Sequence, residues 1–370
     1  MPALSVVVVT FNSRDHVARA LPPLAGQLRD GDELIVVDNG STDGTVDDVA
    51  LAAPAAKVIR NEANEGFAAA CNTGAEAAGG ELLLLLNPDA TPQAGFREAI
   101  ERPLSENRGW AAWQGLVLRG RGRLINTEGN RVHFTGFSWA GGDGLDASRA
   151  IREPRQVDAL SGTCLALPLA DWRRLGGFPP EFFTYHEDTD LSMRLRLEGG
   201  LLGVEPGAFV DHDYEFSKPA GSKWRYLERN RWALLIRTYP GPLLALIFPA
   251  LLLTELALLP VSIAGGWIGA KLRANFEVLG RLPRLLRERR AIQRTRSIGS
   301  AEFAAALTPE LDSGYLGRAG RIAPLAWGLR AYWRVVLALL GSRPASAEEL
   351  PGAELEGLPS AAEPPRERSS

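Results

Sequence analysis

A doubly wound α/β sheet is the fold this sequence predicts, on three observations. Short, unbroken apolar runs recur near the N-terminus. Segments with helical patterning separate them, and polar side chains gather directly after each run. Unbroken runs suit strands covered on both faces. Alternation with helices makes such strands parallel, and ligands then bind beyond their C-terminal ends.

Leu4 to Thr10 (LSVVVVT) reads as the first strand, followed by a helix over 14–28. Glu33 to Asp38 (ELIVVD) is the second, ended by Asn39-Gly40-Ser41-Thr42-Asp43-Gly44 before a helix over 45–53. Lys57 to Arg60 is a short third strand, 66–79 a helix, and Glu81 to Leu86 (ELLLLL) a fourth strand. The polar clusters at the strand ends are Thr10/Asn12, Asp38/Asn39, Asn61/Asn64 and Asn87/Asp89. Residues 115–160 are rich in Gly and Arg with scattered aromatics, as suits a variable substrate-binding segment. Leu160 to Leu167 (LSGTCLAL) reads as a further strand.

The chain has 370 residues, 45% of them hydrophobic, which is ample for one large core with added elements. A net charge of −3 gives no electrostatic case for nucleic acid. Two cysteines, Cys71 and Cys164, form neither a disulfide framework nor a metal cluster, and fit a reducing cytoplasm. The apolar start is short, lacks a basic flank and does not read as a signal peptide.

The most informative stretch is His186-Glu187-Asp188-Thr189-Asp190-Leu191, preceded by Phe182, Phe183 and Tyr185 and followed by Arg194 and Arg196. Paired carboxylates beside an apolar wall suit an enzyme that holds one as a general base. Acidic residues also favour a helix N-terminus; on the segment alone both readings stand. Asp38 to Thr45 leaves a strand and enters a helix, with side chains able to bond a base or ribose or to form an ordinary turn. GxGxxG and GxxxxGK[ST] are absent there, against a dinucleotide fold or a P-loop. Asp89, in Leu86-Asn87-Pro88-Asp89-Ala90, can ligate a divalent cation held by a diphosphate or cap a helix. His212, in Val210-Asp211-His212-Asp213, suits a metal ligand, a diphosphate contact or a structural role.

Taken together, VVVVTFN (6–12), VVDNGSTDGT (36–45), NEGFAAACNTG (64–74), LLLLNPDA (83–90), LSGTCLAL (160–167), GGFPPEFFTYHEDTDLSMRLRLEGG (176–200) and RNRWALL (229–235) resemble family 2 glycosyltransferases of the GT-A fold, particularly the bacterial rhamnosyltransferase-like branch. The similarity covers roughly residues 3–240, and the order and spacing of the motifs make it specific. It implies a mixed, mainly parallel central sheet with helices on both faces. It also implies an inverting transferase that uses a nucleotide-diphosphate sugar, dTDP-rhamnose by the branch, with Mg²⁺ or Mn²⁺. By the same resemblance Thr10, Asn12, Asp38 and Asn39 hold the nucleotide, and Asn64, Gly66 and Asn72 shape the donor pocket. Asp89 is the metal-binding aspartate of a DxD-like element in which Asn87 replaces the first acid. His212 lies near the metal, Asp188 is the catalytic base and Glu187 its neighbour on the acceptor side. Trp113, Trp139 and the arginines of 119–123 are read as acceptor contacts. Pro179 departs from the family's usual Asp after Gly-Phe. Processive members usually carry QxxRW; here Glu228-Arg229-Asn230-Arg231-Trp232 lacks the Gln, favouring addition of one or a few sugars. A nucleotidyltransferase is disfavoured by the missing phosphate loop. A catalytically inactive nucleotide- or glycan-binding protein is disfavoured by the presence of both Asp89 and Asp188.

Beyond residue 240 the composition changes. Leu243 to Ala270 holds one ionisable residue, Glu255, while Lys271 to Arg296 holds nine Lys/Arg against Glu277 and Glu288. The apolar stretch exceeds the ~20 residues of a membrane span. Pro249, Pro260 and Gly265-Gly266 interrupt it, and basic residues flank both ends. The expectation is a catalytic domain over 1–240 and a membrane-associating helical region over 241–342. That region is read as a re-entrant or interfacial hairpin on the cytoplasmic face, with a buried helix pair or a single span as alternatives. A polyprenyl-linked or other glycan acceptor fits that location. Residues 343–370, rich in Ala, Glu, Pro and Ser, are expected to be disordered.

Overall fold

The computed structural model describes residues 2–213, 222–312 and 323–341. The expected tail over 343–370 therefore lies outside the described residues. The strands are β1 (Leu4–Thr10), β2 (Glu33–Asp38), β3 (Lys57–Arg60), β4 (Leu82–Leu86), β5 (Ala90–Pro92), β6 (Trp110–Arg119), β7 (Leu124–Thr127), β8 (Asn130–Val132), β9 (Ser138–Ala140), β10 (Arg155–Val157), β11 (Cys164–Pro168) and β12 (Leu201–His212). The helices are α1 (Arg14–Ala25), α2 (Thr45–Ala52), α3 (Phe67–Glu76), α4 (Phe96–Ser105), α5 (Leu169–Leu175), α6 (Glu187–Leu197), α7 (Lys223–Thr238), α8 (Gly241–Ala264), α9 (Ile268–Arg294), α10 (Ser300–Ala305) and α11 (Ala323–Leu339).

The main sheet runs β10-β12-β6-β11-β4-β1-β2-β3, with β5 and β7 attached at β12 and β6. β1 pairs parallel with β2 and β4, and β2 parallel with β3. β11 enters antiparallel between β4 and β6, so the sheet is mixed. The unbroken apolar runs have a simple cause: alternate residues serve opposite layers. Leu4, Val6 and Val8 with Leu82, Leu84 and Leu86 meet α1, α2 and α4. Val7 and Val9 with Leu83 and Leu85 meet α3, α5 and α6. Residues 115–160, read as a variable segment, carry the second half of β6 and the short strands β7 to β10. The strand read over 160–167 begins only at Cys164, because 160–163 form the turn that enters the site.

A third core joins the C-terminal helices to the layers around the sheet. Met193 and Leu197 of α6 pack with Leu234 and Leu235 of α7, Leu243, Ile247 and Leu251 of α8, Phe303 of α10, and Trp333 and Val336 of α11. α8 is the one helix among the described residues long and apolar enough to cross a bilayer, with only 11% of its most apolar window buried. Its single acid turns inward. Glu255 pairs with Arg231 of α7 and, at 2.6 Å, with Lys271 of α9, which also meets Glu228 at 2.6 Å. Phe248, Leu252, Leu253 and Leu256 remain exposed on the other side.

α3 lies hard against β1 because Gly74 has no side chain. A Cβ there would stand 2.3 Å from Val7 Cγ1. Gly74→Ala is expected to destabilise by about 1–3 kcal/mol through overpacking. Urea unfolding should show a lower midpoint with an unchanged slope.

Candidate active site

The polar residues expected at the strand ends do gather at the C-terminal edge of β1, β2 and β4. Thr10, Asp38 and Asn39 are buried there and organise loops. Asp38 accepts from Thr10 Oγ1 at 3.1 Å and from the Ser41 amide at 3.1 Å. Asn39 Nδ2 donates to Asn64 Oδ1 and to the Gly66 carbonyl, both at 3.2 Å. Asn12, in the left-handed region at φ 49°, accepts from the Thr42 amide at 2.9 Å. Gly66 adopts φ 91°, and a Cβ would lie 2.5 Å from the Phe183 ring, so only glycine fits that crossing. Asn72 is placed elsewhere. Both ends of its amide bind the Phe178 backbone, at 2.8 and 3.0 Å, which makes it a clamp on the loop before α6.

Asn87 and the 160–163 turn join the two halves of the edge: the Asn87 amide donates to the Thr163 carbonyl at 2.9 Å. One residue earlier in that turn, the Gly162 amide donates to Asp188 Oδ2 at 3.0 Å. Asp188 Oδ1 accepts from the Thr189 amide at 2.6 Å and its hydroxyl at 3.2 Å. Asn130 Nδ2 stands 3.5 Å from Oδ2, long for a hydrogen bond, so Oδ2 keeps a lone pair free.

The cluster at 186–190 divides by environment. Asp190 is fully buried between Arg194, at 2.7 Å, and Arg237, at 2.9 Å. Burial raises its carboxyl, but the two guanidinium charges prevail and hold it below the usual range. Glu187 is buried with Oε2 lacking any partner. Burial, reinforced by the charge of Asp188, pushes it up to about 8. Asp188 is also raised by burial, against the donors from Gly162 and Thr189. Because those donors favour its charged form, Asp188 holds the charge of the pair and Glu187 the proton. Burial lowers His186 to about 4, leaving it neutral, with Nε2 at 3.3 Å from the Gly136 carbonyl.

The approach to α6 is strained. Phe183, Tyr185 and His186 all have positive φ, at 65°, 70° and 68°. Such clusters persist only where surrounding contacts impose them. Here Asn230 Nδ2 meets the carbonyls of Phe182, Thr184 and Tyr185 at 2.7–2.9 Å. The RNRW motif therefore contributes a buried amide that sets where Asp188 points.

On the other side of the edge, His212 Nε2 lies 3.0 Å from Asp89 Oδ1. Asn126 presents Oδ1 to His212 Nδ1 at 2.9 Å and turns its amide nitrogen toward Asp143 at 3.5 Å. With Nδ1 facing the Asn126 carbonyl oxygen, Nε2 faces the Asp89 carboxylate at a separation that a proton on Nε2 or a metal ion between the two would bridge. Adjacent ligands around a small octahedral dication stand about 3 Å apart. Burial raises Asp89, but the His212 hydrogen bond and charge outweigh it and keep the carboxyl below its usual range. Among the described residues no group of three or more His, Cys, Asp and Glu converges on a metal position. Asp89 and His212 still fit Mg²⁺ or Mn²⁺, which take few protein ligands beside a diphosphate and water.

Of the aromatic acceptor contacts expected, Trp113 is corrected. It is fully buried, its Nε1 donating to the Ile100 carbonyl at 2.8 Å, so it belongs to the core. Trp139 is also buried, and Arg119 pairs with Asp143 at 3.0 Å. Asn126, Asn130, Gly162 and Asn230 were missed as site residues. Gly162 and Asn230 lay within recognised motifs, whereas nothing local marked Asn126.

Residues 5–146 match the family described as Glycosyl transferase family 2. An N-acetylglucosaminyl-diphospho-decaprenol L-rhamnosyltransferase of Mycobacterium tuberculosis is 29% identical over 231 residues, 56% of this chain and 75% of that protein. The glycosyltransferase AglE of Haloferax volcanii is 29% identical over 140 residues, 36% of this chain and 41% of that protein. The solved structure of GalNAc-T7 with UDP, GalNAc and Mn²⁺ aligns with a TM-score of 0.55 at 19% identity, over 66% of this chain; the match spans 50% of that chain. At that identity the likeness is one of fold: a GT-A-like α/β sheet, here followed by C-terminal helices.

The Glu187 environment predicts a stability difference. Its carboxyl is raised from 4.5 to about 8, so between those values the native state binds a proton that the unfolded chain has released. Stability therefore falls as pH rises through that window. Glu187→Gln mimics the protonated form and should remove this fall. Melting temperatures measured from about pH 5 to 8 should drop more steeply for the native protein than for the variant. Parallel curves would overturn the assignment of the proton.

Proposed function

We propose that the chain is an inverting, metal-dependent enzyme of glycosyl transferase family 2, moving a sugar from a nucleotide-diphosphate donor to a hydroxyl of a lipid-linked glycan. The observation that carries this reading is the arrangement of Asp188. It is the one site carboxylate kept ionised by converging donors, partly exposed, and one turn of chain from the edge that bears Asp89. The relative from Mycobacterium tuberculosis, an L-rhamnosyltransferase by name, makes dTDP-rhamnose the first donor to test and a polyprenyl-diphosphate sugar the first acceptor.

In this mechanism the loops after β1 and β2 receive the nucleotide, with Asp38 and Asn39 holding them in shape. Asp89 and His212 would hold Mg²⁺ or Mn²⁺, which when bound neutralises charge on the departing diphosphate. Asp188 Oδ2 takes the proton of the acceptor hydroxyl as its oxygen attacks the anomeric carbon. The bond to the diphosphate oxygen breaks and its electron pair leaves with the nucleotide. One displacement inverts the carbon, so no second carboxylate serves as nucleophile. Protonated Glu187 adds no second negative charge beside the base. Gly162 and Thr189 steady Asp188, and Asn126 steadies His212.

The C-terminal helices support work at a membrane surface. The exposed side chains of α8 are joined by Phe276 and Leu279 of α9 and by Trp327 and Leu339 of α11. Glu255 is held inward by ion pairs, which leaves the outward side of α8 apolar for contact with a membrane, and we read α8 as an interfacial helix. The cytoplasmic face is the side where a nucleotide-sugar donor is met.

A panel of nucleotide sugars with Mn²⁺ should give one donor that raises the melting temperature and is turned over. Asp188→Asn should bind that donor within about threefold of the native affinity and lose at least about 100-fold in kcat, the usual contribution of a general base. Near-native turnover in that variant would remove Asp188 as the base. Asn126→Ala should weaken Mn²⁺ binding about 10- to 100-fold, as loss of a ligand's outer partner does. Titration calorimetry without acceptor measures that directly.

A further inference from the structure

We infer that a cleft between the start of α8 and the end of α9 is a binding site for the phosphate of an anionic lipid head group. The cleft has a volume of about 440 Å³ and is lined by Gly241, Pro242, Leu286, Arg289, Arg290, Gln293 and Arg296. It holds three guanidinium groups and no carboxylate. Elsewhere on α9, Arg273 pairs with Glu277 at 3.2 Å, and Arg284 with Glu288 at 2.7 Å and Glu181 at 2.8 Å, while Arg281, Arg287 and Arg294 form no ion pair among the described residues but do not line this cleft. Among the described residues no ion pair is formed by Arg289, Arg290 or Arg296.

Arg289 is fixed in place. Its Nη1 donates to the carbonyls of Ile236 and Tyr239, at 2.8 and 2.6 Å, where α7 turns into α8. Gln293 is fixed beside it, donating to the Thr238 carbonyl at 2.9 Å. Burial lowers Arg289, and the nearby charge of Arg296 lowers it further. Converging like charges held by backbone bonds are relieved by an anion that accepts several N–H bonds at once, as a phosphate does.

The surroundings favour a lipid over a free ion. Leu286 lies in the wall of the cleft and is exposed, and the apolar face of α8 continues from the same end through Phe248, Leu252 and Leu256. A phosphate in the cleft therefore has a path for acyl chains along the helix. This inference rests on the reading of α8 as an interfacial helix. It adds a specific head-group site to the general attraction of a basic surface.

Arg290 and Arg296 can be changed without touching the backbone bonds of Arg289. The test compares the full-length protein, Arg290→Gln/Arg296→Gln, and a control with the same charge loss on α9 outside the cleft, Arg273→Gln/Arg287→Gln. Binding is measured by flotation with vesicles of phosphatidylcholine alone and with added phosphatidylglycerol. Two general surface charges account for a loss of roughly thirtyfold, so preference for the anionic vesicles is expected to fall by more than that in the cleft variant and by no more than that in the control. Equal losses in both variants would reduce the cleft to part of a diffuse basic surface and overturn the site. Equal binding to both vesicle types would overturn it too, while leaving the membrane reading intact; no vesicle binding at all would overturn both. A final arm uses inorganic phosphate. If phosphate raises the melting temperature as much as anionic vesicles do, and the cleft variant loses that shift, the ligand is the free anion and the lipid assignment fails.

Discussion

Asp190 is a fully buried carboxylate between two arginines, and the placement of α6 depends on it. Arg194 reaches it from the next turn of α6 and also bonds the carbonyls of Leu175 and Gly177, at 2.8 and 2.6 Å. Arg237 reaches it from α7 and also pairs with Glu288 of α9. One carboxylate thus ties the loop before the site, the helix that carries Asp188, and the two helices that lead to the apolar surface. A buried pair of this kind stabilises little when compared with packed apolar residues. Removing one partner nevertheless costs about 3–5 kcal/mol, because a charge is stranded. The network therefore favours one relative arrangement of catalytic layers and C-terminal helices over others.

Around that anchor the three acidic residues of α6 take different chemical states without any difference in side-chain type that would announce it. Asp190 is ionised by guanidinium partners, Asp188 by amide and hydroxyl donors, and Glu187 retains a proton because its buried oxygen meets nothing. A carboxylate that is charged, oriented and still partly open is what a base requires. A second charge beside it would raise the cost of holding the first. The strained approach through Phe183, Tyr185 and His186 serves the same end, since Asn230 imposes the turn that aims the first residues of α6.

The same inward and outward division governs α8. Its lone acid is spent on Arg231 and Lys271, and its remaining surface is apolar and open. That division separates the roles of the C-terminal helices. One side braces the RNRW segment that holds the site loop, and the other offers a surface for an acyl phase.

The strands, the helices between them and the polar clusters after β1, β2 and β4 were legible in the chain because each is a local pattern. Apolar runs, periodicity and turn residues act over a few neighbours. Asp188, Glu187, Asp89 and His212 were singled out because they stand in motifs whose order carries meaning. Several matters were not legible: which acid of His186–Asp190 keeps a proton, that Asn72 clamps a loop, that Trp113 fills the core, and that Asn126 orients His212. Each depends on a partner far away in sequence. His212 meets Asn126 across 86 residues, and Arg237 meets Asp190 across 47. Burial and donor geometry at those meetings are products of packing, and a carboxylate's charge state follows from them rather than from its neighbours along the chain.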